Sequence, residues 1–189
     1  MVAKNQLVEI RWHGRGGQGA VTSAELVAQA AISEDKFAQA FPSFGPERRG
    51  APVLAFVRID SQEPIRIRAE ITHPDVVVVL DPGLLAIVNV AAGLKKDGLV
   101  IINTSKSFDE IGAKIQADCR LAKVDATHIA REVLGVPITN TTMVGALLKA
   151  TGVVKLDSVV KPLHDRFGRI AEKNVNAMKR AYQETELKE

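Results

Sequence analysis

The feature that most constrains this sequence is an uninterrupted apolar run over residues 76–80, VVVVL, with an aspartate at each end. A continuous β-branched run is typical of a strand buried on both faces, because a half-exposed strand would alternate apolar and polar residues. Such strands occur in parallel sheets, where crossover helices cover each side. The run therefore predicts the interior of an α/β sheet, and Asp81 is predicted to cap the turn at Pro82-Gly83.

The rest of the chain alternates between strand and helix patterns. Strands are predicted at 7–13, 36–40, 53–59, 65–69, 75–81, 99–103 and 122–125. Helices are predicted at 21–32, 84–93, 126–134, 142–150, 156–167 and 170–186. This order predicts a doubly wound, mostly parallel α/β sheet with a helical C-terminal end. Since a length of 189 residues suits one domain, residues 1–189 are predicted to form a single unit.

Composition narrows the classes of function. The formal net charge is only +3, and the aromatic residues are six Phe, one Trp and one Tyr, so the basic patch with stacking aromatics that is typical of nucleic-acid binding is not predicted. A single cysteine, Cys119, rules out a four-thiolate iron–sulfur cluster held by this chain alone. The four histidines have no metal-ligand spacing, so no metal site is expected.

Targeting signals are not visible in the sequence. The first residues, MVAKNQ, lack the apolar stretch of a secretory signal, and no apolar run is long enough to cross a bilayer. The expectation is a cytoplasmic protein without a membrane partner.

A glycine-rich turn stands between the first predicted strand and the first predicted helix. Its residues, Gly14, Arg15, Gly16, Gly17, Gln18 and Gly19, match the pattern G-x-G-x-x-G in a Rossmann-like strand–loop–helix context. Glycines permit close backbone approach, and the helix N-terminus that follows offers free N–H groups to an anion. With Arg15 for charge and the Thr22 and Ser23 hydroxyls as donors, the turn predicts a phosphate or pyrophosphate site.

Two alternatives to an anion site remain open at this turn. A dinucleotide would need an acidic residue after the second strand, and Asp35 has about the right spacing but precedes the predicted strand. The other alternative is a tight turn that binds nothing. Asn140, at the start of a later helix pattern, is interpreted first as an N-cap and second as a ligand contact.

A second unusual segment is the predicted loop over residues 41–52, FPSFGPERRGAP. It combines aromatic residues with adjacent arginines in a stretch stiffened by prolines. Arginines suit phosphate and carboxylate contacts, and aromatics beside arginines are typical of protein interfaces. Phe44, Glu47, Arg48 and Arg49 are therefore predicted to contact a ligand or another subunit, the alternative being a solvated loop whose Phe residues enter the core.

Four segments together resemble the gamma subunit of pyruvate:ferredoxin oxidoreductase. They are RWHGRGGQGA at 11–20, QAFPSFGPERRGAP at 39–52, PDVVVVLD at 74–81 and NTTMVGAL at 140–147, and they occur in order over nearly the whole chain. The resemblance implies a multi-subunit enzyme that interconverts a 2-oxoacid and coenzyme A with acyl-CoA and CO₂. It also implies alpha, beta and delta sibling subunits and electron transfer to ferredoxin.

The same resemblance implies which groups lie elsewhere in the complex. Thiamine diphosphate, Mg²⁺ and iron–sulfur clusters belong to the complex, and coenzyme A is its substrate. The sequence has no Gly-Asp-Gly followed by Asn for thiamine diphosphate, so no catalytic residue is expected in this chain, and the isolated chain is expected to be inactive. Its expected tasks are to complete the assembly and to contribute to coenzyme A binding through the glycine turn.

The sequence leaves open both the branch of the family and the class of protein. GAP at 50–52 and TMVGA at 142–146 resemble the pyruvate branch more than the 2-oxoglutarate branch, and the 2-oxoisovalerate and 2-oxoglutarate branches remain alternatives. Two further alternatives are a free-standing dinucleotide-binding oxidoreductase and a scaffold protein with an empty nucleotide-like fold.

Overall fold

The computed structural model describes residues 7–43, 49–115 and 117–188, and these contain one seven-stranded sheet with helices. The strands are β1 Leu7–Arg15, β2 Phe37–Pro42, β3 Pro52–Asp60, β4 Val76–Val79, β5 Leu99–Asn103, β6 Arg120–Val124 and β7 Glu186–Leu187. The α-helices are α1 Ala20–Ile32, α2 Phe108–Gly112, α3 Ala126–Leu134, α4 Asn140–Thr151, α5 Val160–Phe167 and α6 Ala171–Glu184. Short 3₁₀ helices lie at Pro82–Ala86, Asp157–Val159 and Gly168–Ile170.

The sheet has a parallel centre and antiparallel margins. Its order is β2-β3-β1-β4-β5-β6-β7, and the neighbours β1, β4, β5 and β6 run parallel. β3 is antiparallel to both β1 and β2, and β7 is antiparallel to β6. Five of the seven strands therefore point the same way, and the predicted mostly parallel α/β fold is confirmed.

Both faces of the sheet centre are covered, as the valine run predicts. Val76 and Val78 pack into the larger core with α1, α3, α4 and α6. Val77 and Val79 pack into the smaller core on the opposite face, with the 3₁₀ turn at Leu84 and with α2. All four valines have no exposed surface. In the described part of the chain, no helix is long and apolar enough to cross a membrane.

The predicted strand at 65–69 is wrong. Residues 64–68 run without turn or bend but belong to no strand ladder in the described part of the chain. The reason is the position of β3, which directly precedes them. Both edges of β3 are already occupied, by β2 on one side and β1 on the other, so the next extended segment has no free edge there.

The predicted helix at 84–93 is also wrong, because only one 3₁₀ turn, Pro82–Ala86, forms there. The buried Arg11 side chain donates to the Val90 carbonyl at 3.1 Å and to the Ala92 carbonyl at 2.6 Å. These carbonyls therefore serve a side chain of β1 instead of a helical ladder. Gly93 then takes a left-handed conformation with φ of +71°, where a helix could not continue.

The predicted helical C-terminal end is present, and its two longest helices lie close together. A Cβ added at Gly145 of α4 would lie 2.0 Å from the Met178 carbonyl oxygen of α6. Because Gly145 has no side chain, the backbones of α4 and α6 can be in contact. Thr141 at the start of α4 also donates to Asn174 Oδ1 of α6 at 2.8 Å, so the N-termini of these helices are adjacent.

Candidate functional site

The glycine turn lies at the point where the sheet connections change sides. After β1 the chain enters α1 on the larger-core face, whereas after the adjacent parallel β4 it enters the 3₁₀ turn on the opposite face. In open α/β sheets, ligands bind in the crevice outside the carboxyl ends of the strands at such a point. The topology therefore places the glycine turn, residues 14–19, and the residues that follow β4, 80–82, at the location where a site is expected.

Two glycines of the turn are required for different reasons, one for backbone conformation alone and one for lack of space as well. Gly17 and Gly19 have φ of +94° and +80°, a region that other residues rarely occupy. A Cβ at Gly17 would meet nothing within 4 Å, whereas one at Gly19 would lie 2.5 Å from Asn140 Nδ2. Gly19 is the N-cap of α1 and supplies no side-chain cap, so the start of α1 remains open toward an anion.

An ion pair joins the two loops of the switch point. Arg15 Nε donates to Asp81 Oδ2 at 2.7 Å, and Gln18 Nε2 donates to the same oxygen at 3.2 Å. Gln18 Oε1 in turn accepts from the Arg15 backbone N–H at 2.8 Å. The side chains of Arg15 and Asp81 remain 31% and 21% exposed, so a ligand in the crevice could reach the pair.

Asp81 also has the capping role that the sequence predicts. Its Oδ1 accepts from the Gly83 backbone N–H at 2.8 Å. The sequence does not reveal the second role, the contact with Arg15, because the two residues are 66 positions apart. The only available signal is that Arg15 ends β1 and Asp81 follows β4, two strands that the topology makes neighbours.

The end of the 41–52 loop lies against the glycine turn. Gly16 N donates to the Ala51 carbonyl at 2.9 Å, Gly50 N donates to the Gly16 carbonyl at 3.1 Å, and Arg15 Nη1 donates to the Gly50 carbonyl at 3.1 Å. Arg49 forms a bridge with Gly16 and is exposed. The structure therefore brings together the two segments that the sequence analysis singled out.

The other predicted residues of that loop lie outside the described residues; they are Phe44, Glu47 and Arg48. Phe41, at the beginning of the segment, belongs to β2 and is buried, with its ring centroid 5.3 Å from that of Phe56. At this end of the segment, the interpretation of a Phe that enters the core is the correct one.

The two hydroxyls predicted to face a ligand do not lie in the crevice. Ser23 is fully buried, and its Oγ donates to the carbonyls of Gly19 and Asn140, at 3.2 and 3.1 Å. Its role is to join the starts of α1 and α4, so the prediction of a ligand contact is wrong for Ser23. Thr22 is half-buried, and its Oγ1 accepts from Arg166 at 3.3 Å on the side of α1 that faces α5.

Asn140 is a residue of the site that the sequence assigns only in second place. It is the first residue of α4, one position after the N-cap at Thr139, and is 6% exposed. Its Oδ1 accepts from the Thr141 backbone N–H at 2.8 Å, and its Nδ2 faces Gly19. The N-termini of α1 and α4 therefore meet beside the glycine turn. Neither N-cap residue makes a side-chain cap, but the Asn140 amide oxygen already accepts from one first-turn N–H of α4.

Beneath the turn, β1 carries a buried cation and a neutral imidazole. Arg11 Nε donates to His13 Nε2 at 3.1 Å, and both residues are 7% exposed. Burial, followed by the charge of Arg11, lowers the pKa of His13 to about 3, and burial also lowers the pKa of Arg11. His13 is therefore a fixed neutral acceptor and not an acid–base group at neutral pH.

The dinucleotide alternative meets a topological obstacle. Dinucleotide-binding folds place a second parallel strand beside the first, and its end carries the acidic residue that holds the ribose. Here the neighbour of β1 on that side is the antiparallel β3, and β2 lies one strand farther out. Asp35 precedes β2 and does not follow its carboxyl end, so Asp35 is not in the position of that acidic residue.

Comparison with known proteins gives a consistent family match. A sequence model described as "Pyruvate ferredoxin/flavodoxin oxidoreductase" matches residues 9–184. Among curated relatives, the "Pyruvate/ketoisovalerate oxidoreductases common subunit gamma" of Pyrococcus furiosus is 56% identical over 96% of this chain and 98% of its own length. The "Pyruvate synthase subunit PorC" of Methanocaldococcus jannaschii is 54% identical over 94% of this chain and 97% of its own length.

A solved structure supports the same match. The crystal structure of pyruvate oxidoreductase subunit PORC from Thermotoga maritima superposes with a TM-score of 0.88 at 38% identity. The alignment covers 98% of this chain and 100% of that one. The similarity therefore extends over the sheet, the glycine turn and the helical end together.

Proposed function

This chain belongs to the pyruvate ferredoxin/flavodoxin oxidoreductase family, and from that premise we propose that it is the gamma subunit of a multi-subunit pyruvate:ferredoxin oxidoreductase. The complex interconverts pyruvate, coenzyme A and two oxidised ferredoxins with acetyl-CoA, CO₂ and two reduced ferredoxins. The observation that carries the proposal is the near-full-length similarity to subunits that are themselves named gamma or PorC. The proposed partners are alpha, beta and delta subunits in the cytoplasm, with ferredoxin as electron acceptor.

The redox and carbon chemistry is assigned to the sibling subunits. The donor set of this chain does not fit an iron–sulfur cluster, because Cys119 is its single cysteine and burial raises the pKa of that thiol. The described residues also contain no group of three or more His, Cys, Asp or Glu side chains that could hold a metal ion. Thiamine diphosphate, Mg²⁺ and the clusters are therefore proposed to reside outside this chain.

The contribution of this chain to substrate binding is proposed to be an anion site for coenzyme A at the glycine turn. The N-terminus of α1, whose N-cap Gly19 supplies no side-chain hydrogen bond, favours negative charge. Arg15 directs two of its three nitrogens at Asp81 and Gly50, and no acceptor contacts its Nη2 among the described residues. That nitrogen can donate to a phosphate without breaking the ion pair that positions the guanidinium. Arg48 and Arg49 are proposed to add charge from the neighbouring loop.

Steady-state kinetics of the reconstituted complex test the coenzyme A site. Arg15→Ala is expected to raise the KM for coenzyme A by about tenfold or more, because a hydrogen bond to a charged group contributes roughly 1.5–3 kcal/mol. The kcat at saturating coenzyme A and the KM for pyruvate should change little. Arg48→Ala tests the adjacent loop in the same way.

A matched control removes a positive charge away from the turn. Lys179→Ala, at an exposed position of α6, should leave the KM for coenzyme A unchanged. An intact complex in which Arg15→Ala and Arg48→Ala both keep the wild-type KM would remove the ligand role of the turn. The assignment as a subunit is tested separately: the tagged chain should co-purify with brown, thiamine-dependent partners and should be inactive alone.

A further inference from the structure

The segment 65–69, sequence IRIRA, has the alternation of a strand, but in the described part of the chain no strand pairs with it. We infer that it is a docking strand, to which an extended acidic segment of a sibling subunit adds by β-strand pairing. This inference rests on the proposed function, since it supposes that the chain works inside a complex. It concerns a surface away from the glycine turn.

The first observation in support of a docking strand is that the main chain of this segment is unpaired. Within the described ranges, no main-chain group of Ile65–Ala69 pairs with another main-chain group. The carbonyls of Ile67 and Ala69 accept from Arg58 Nη1, at 3.2 and 2.8 Å. Because the carbonyls of Ile67 and Ala69 are two residues apart and face the same nitrogen, the backbone alternates between them, and the main-chain groups of Arg68 point away from Arg58. The outward edge of the segment therefore has no main-chain partner among residues 7–43, 49–115 and 117–188.

The second observation is that buried and neighbouring side chains hold the segment in place. Arg58 is 5% exposed, and its Nε also donates to Glu9 Oε1 of β1 at 2.9 Å. Beyond the segment, Glu70 accepts from the Ser43 hydroxyl, which fixes its end beside the 41–52 loop. A segment whose carbonyls are already held by a buried side chain loses less conformational freedom on pairing than a mobile loop would.

The third observation is that the exposed side chains of the segment combine one apolar residue with two cations. Ile67 is 64% exposed, the largest fraction among the exposed large hydrophobic residues of the described chain. Arg66 and Arg68 flank it and are also exposed. An apolar side chain between two cations fits a partner strand in which acidic residues alternate with an apolar one. Strand addition combines main-chain hydrogen bonds for affinity with side-chain pairs for specificity.

A second copy of this chain is a poorer partner for the same edge. Pairing two such segments would set Arg66 and Arg68 opposite arginines, and like charges directly opposite on a sheet are destabilising. The charge pattern therefore favours a different, acidic chain.

Hydrogen–deuterium exchange on the wild-type chain, alone and in the purified complex, tests the inference directly. The amides of Arg66 and Arg68 should exchange at least about tenfold more slowly in the complex, because strand pairing protects them. Unchanged exchange in an intact complex would overturn the inference and leave the proposed function standing. Protection in the isolated chain that grows with its concentration would identify a second copy as the partner and would also overturn it. If the wild-type chain joins no complex at all, the proposed function fails.

Paired variants separate the backbone from the charge. Arg68→Pro removes an outward N–H and the charge, whereas Arg68→Ala removes only the charge, so Arg68→Pro should retain the lower fraction of partner subunits on co-purification. Arg66→Glu/Arg68→Glu should reduce retention by about tenfold or more, because the new carboxylates would repel the acidic residues of the partner segment. Lys96→Glu/Lys179→Glu makes the same change of net charge at exposed positions elsewhere and should be neutral. Equal retention by all four variants, at wild-type stability, would contradict the docking strand.

Discussion

Arg11 shows how a single residue can organise a long connection. Its guanidinium donates to the carbonyls of Ile71, Val90 and Ala92, which belong to the irregular connections on either side of β4. Among the described residues, no carboxylate contacts it. The cation is thus balanced by main-chain dipoles and by neutral His13, a combination that works only while the imidazole stays unprotonated.

His13 should therefore make the fold sensitive to acid. Its pKa is about 3 in the folded chain and 6.5 in the reference state, so between these values the unfolded chain binds the extra proton. The stabilisation is present above pH 6.5 and is lost as the pH falls toward 3. Between pH 7 and 5 the loss should be about 2 kcal/mol.

The measurement is urea unfolding at several pH values, compared with His13→Gln. Glutamine keeps an acceptor for Arg11 but does not titrate, so its unfolding free energy should fall less steeply in acid. Parallel pH dependences of the two proteins would show that His13 is not the titrating group.

The two left-handed glycines of the turn provide a second comparison at this scale. Gly17→Ala should cost about 1–2 kcal/mol, the strain of a left-handed alanine, because a Cβ there meets nothing within 4 Å. Gly19→Ala should cost roughly 1–3 kcal/mol more, since its Cβ would displace Asn140 from the start of α4. Chemical denaturation of both variants measures the difference, and equal losses would mean that the Asn140 contact contributes nothing.

At the scale of elements, the close approach of α4 and α6 depends on Gly145. Gly145→Ala should destabilise the protein by about 3 kcal/mol or more, because the obstacle is the main chain at Met178 and not a movable side chain. Gly112→Ala in α2 is the matched control: a Cβ there meets nothing within 4 Å, and alanine favours the helix by up to about 1 kcal/mol. Thermal unfolding that shows similar midpoints for the two variants would contradict the tight contact.

Local patterns predict the elements whose partners are close in the sequence or dictated by burial. The valine run of β4 and the helix α3 at Ala126–Leu134 were predictable because burial and period leave a single interpretation. The segment at 65–69 was not, because its alternation is that of a strand while both edges of β3 are occupied. The segment at 84–93 was not, because its carbonyls are taken by Arg11, about 80 residues earlier.

For the whole molecule, the same distinction separates the predictable from the unpredictable part of the candidate site. The glycine turn and Arg15 are contiguous, so the motif alone indicates them. The pairing with Asp81 and the proximity of Asn140 arise from strand order and helix packing, which no local pattern contains. The inward direction of the Ser23 hydroxyl has the same origin, since it depends on the packing of α1 on α4.

The common placement of the helix starts gives the molecule an electrical polarity. α1 and α4 begin side by side at Gly19 and Asn140, α6 begins next to α4 through the Thr141–Asn174 bond, and all three lack a side-chain cap. Each helix start carries roughly half a positive charge, and Glu172 in the first turn of α6 offsets the third, so the positive potential is centred on the starts of α1 and α4. Because salt screens such a charge over about 8 Å, its consequence is local: negative charge is favoured in the crevice beside the glycine turn.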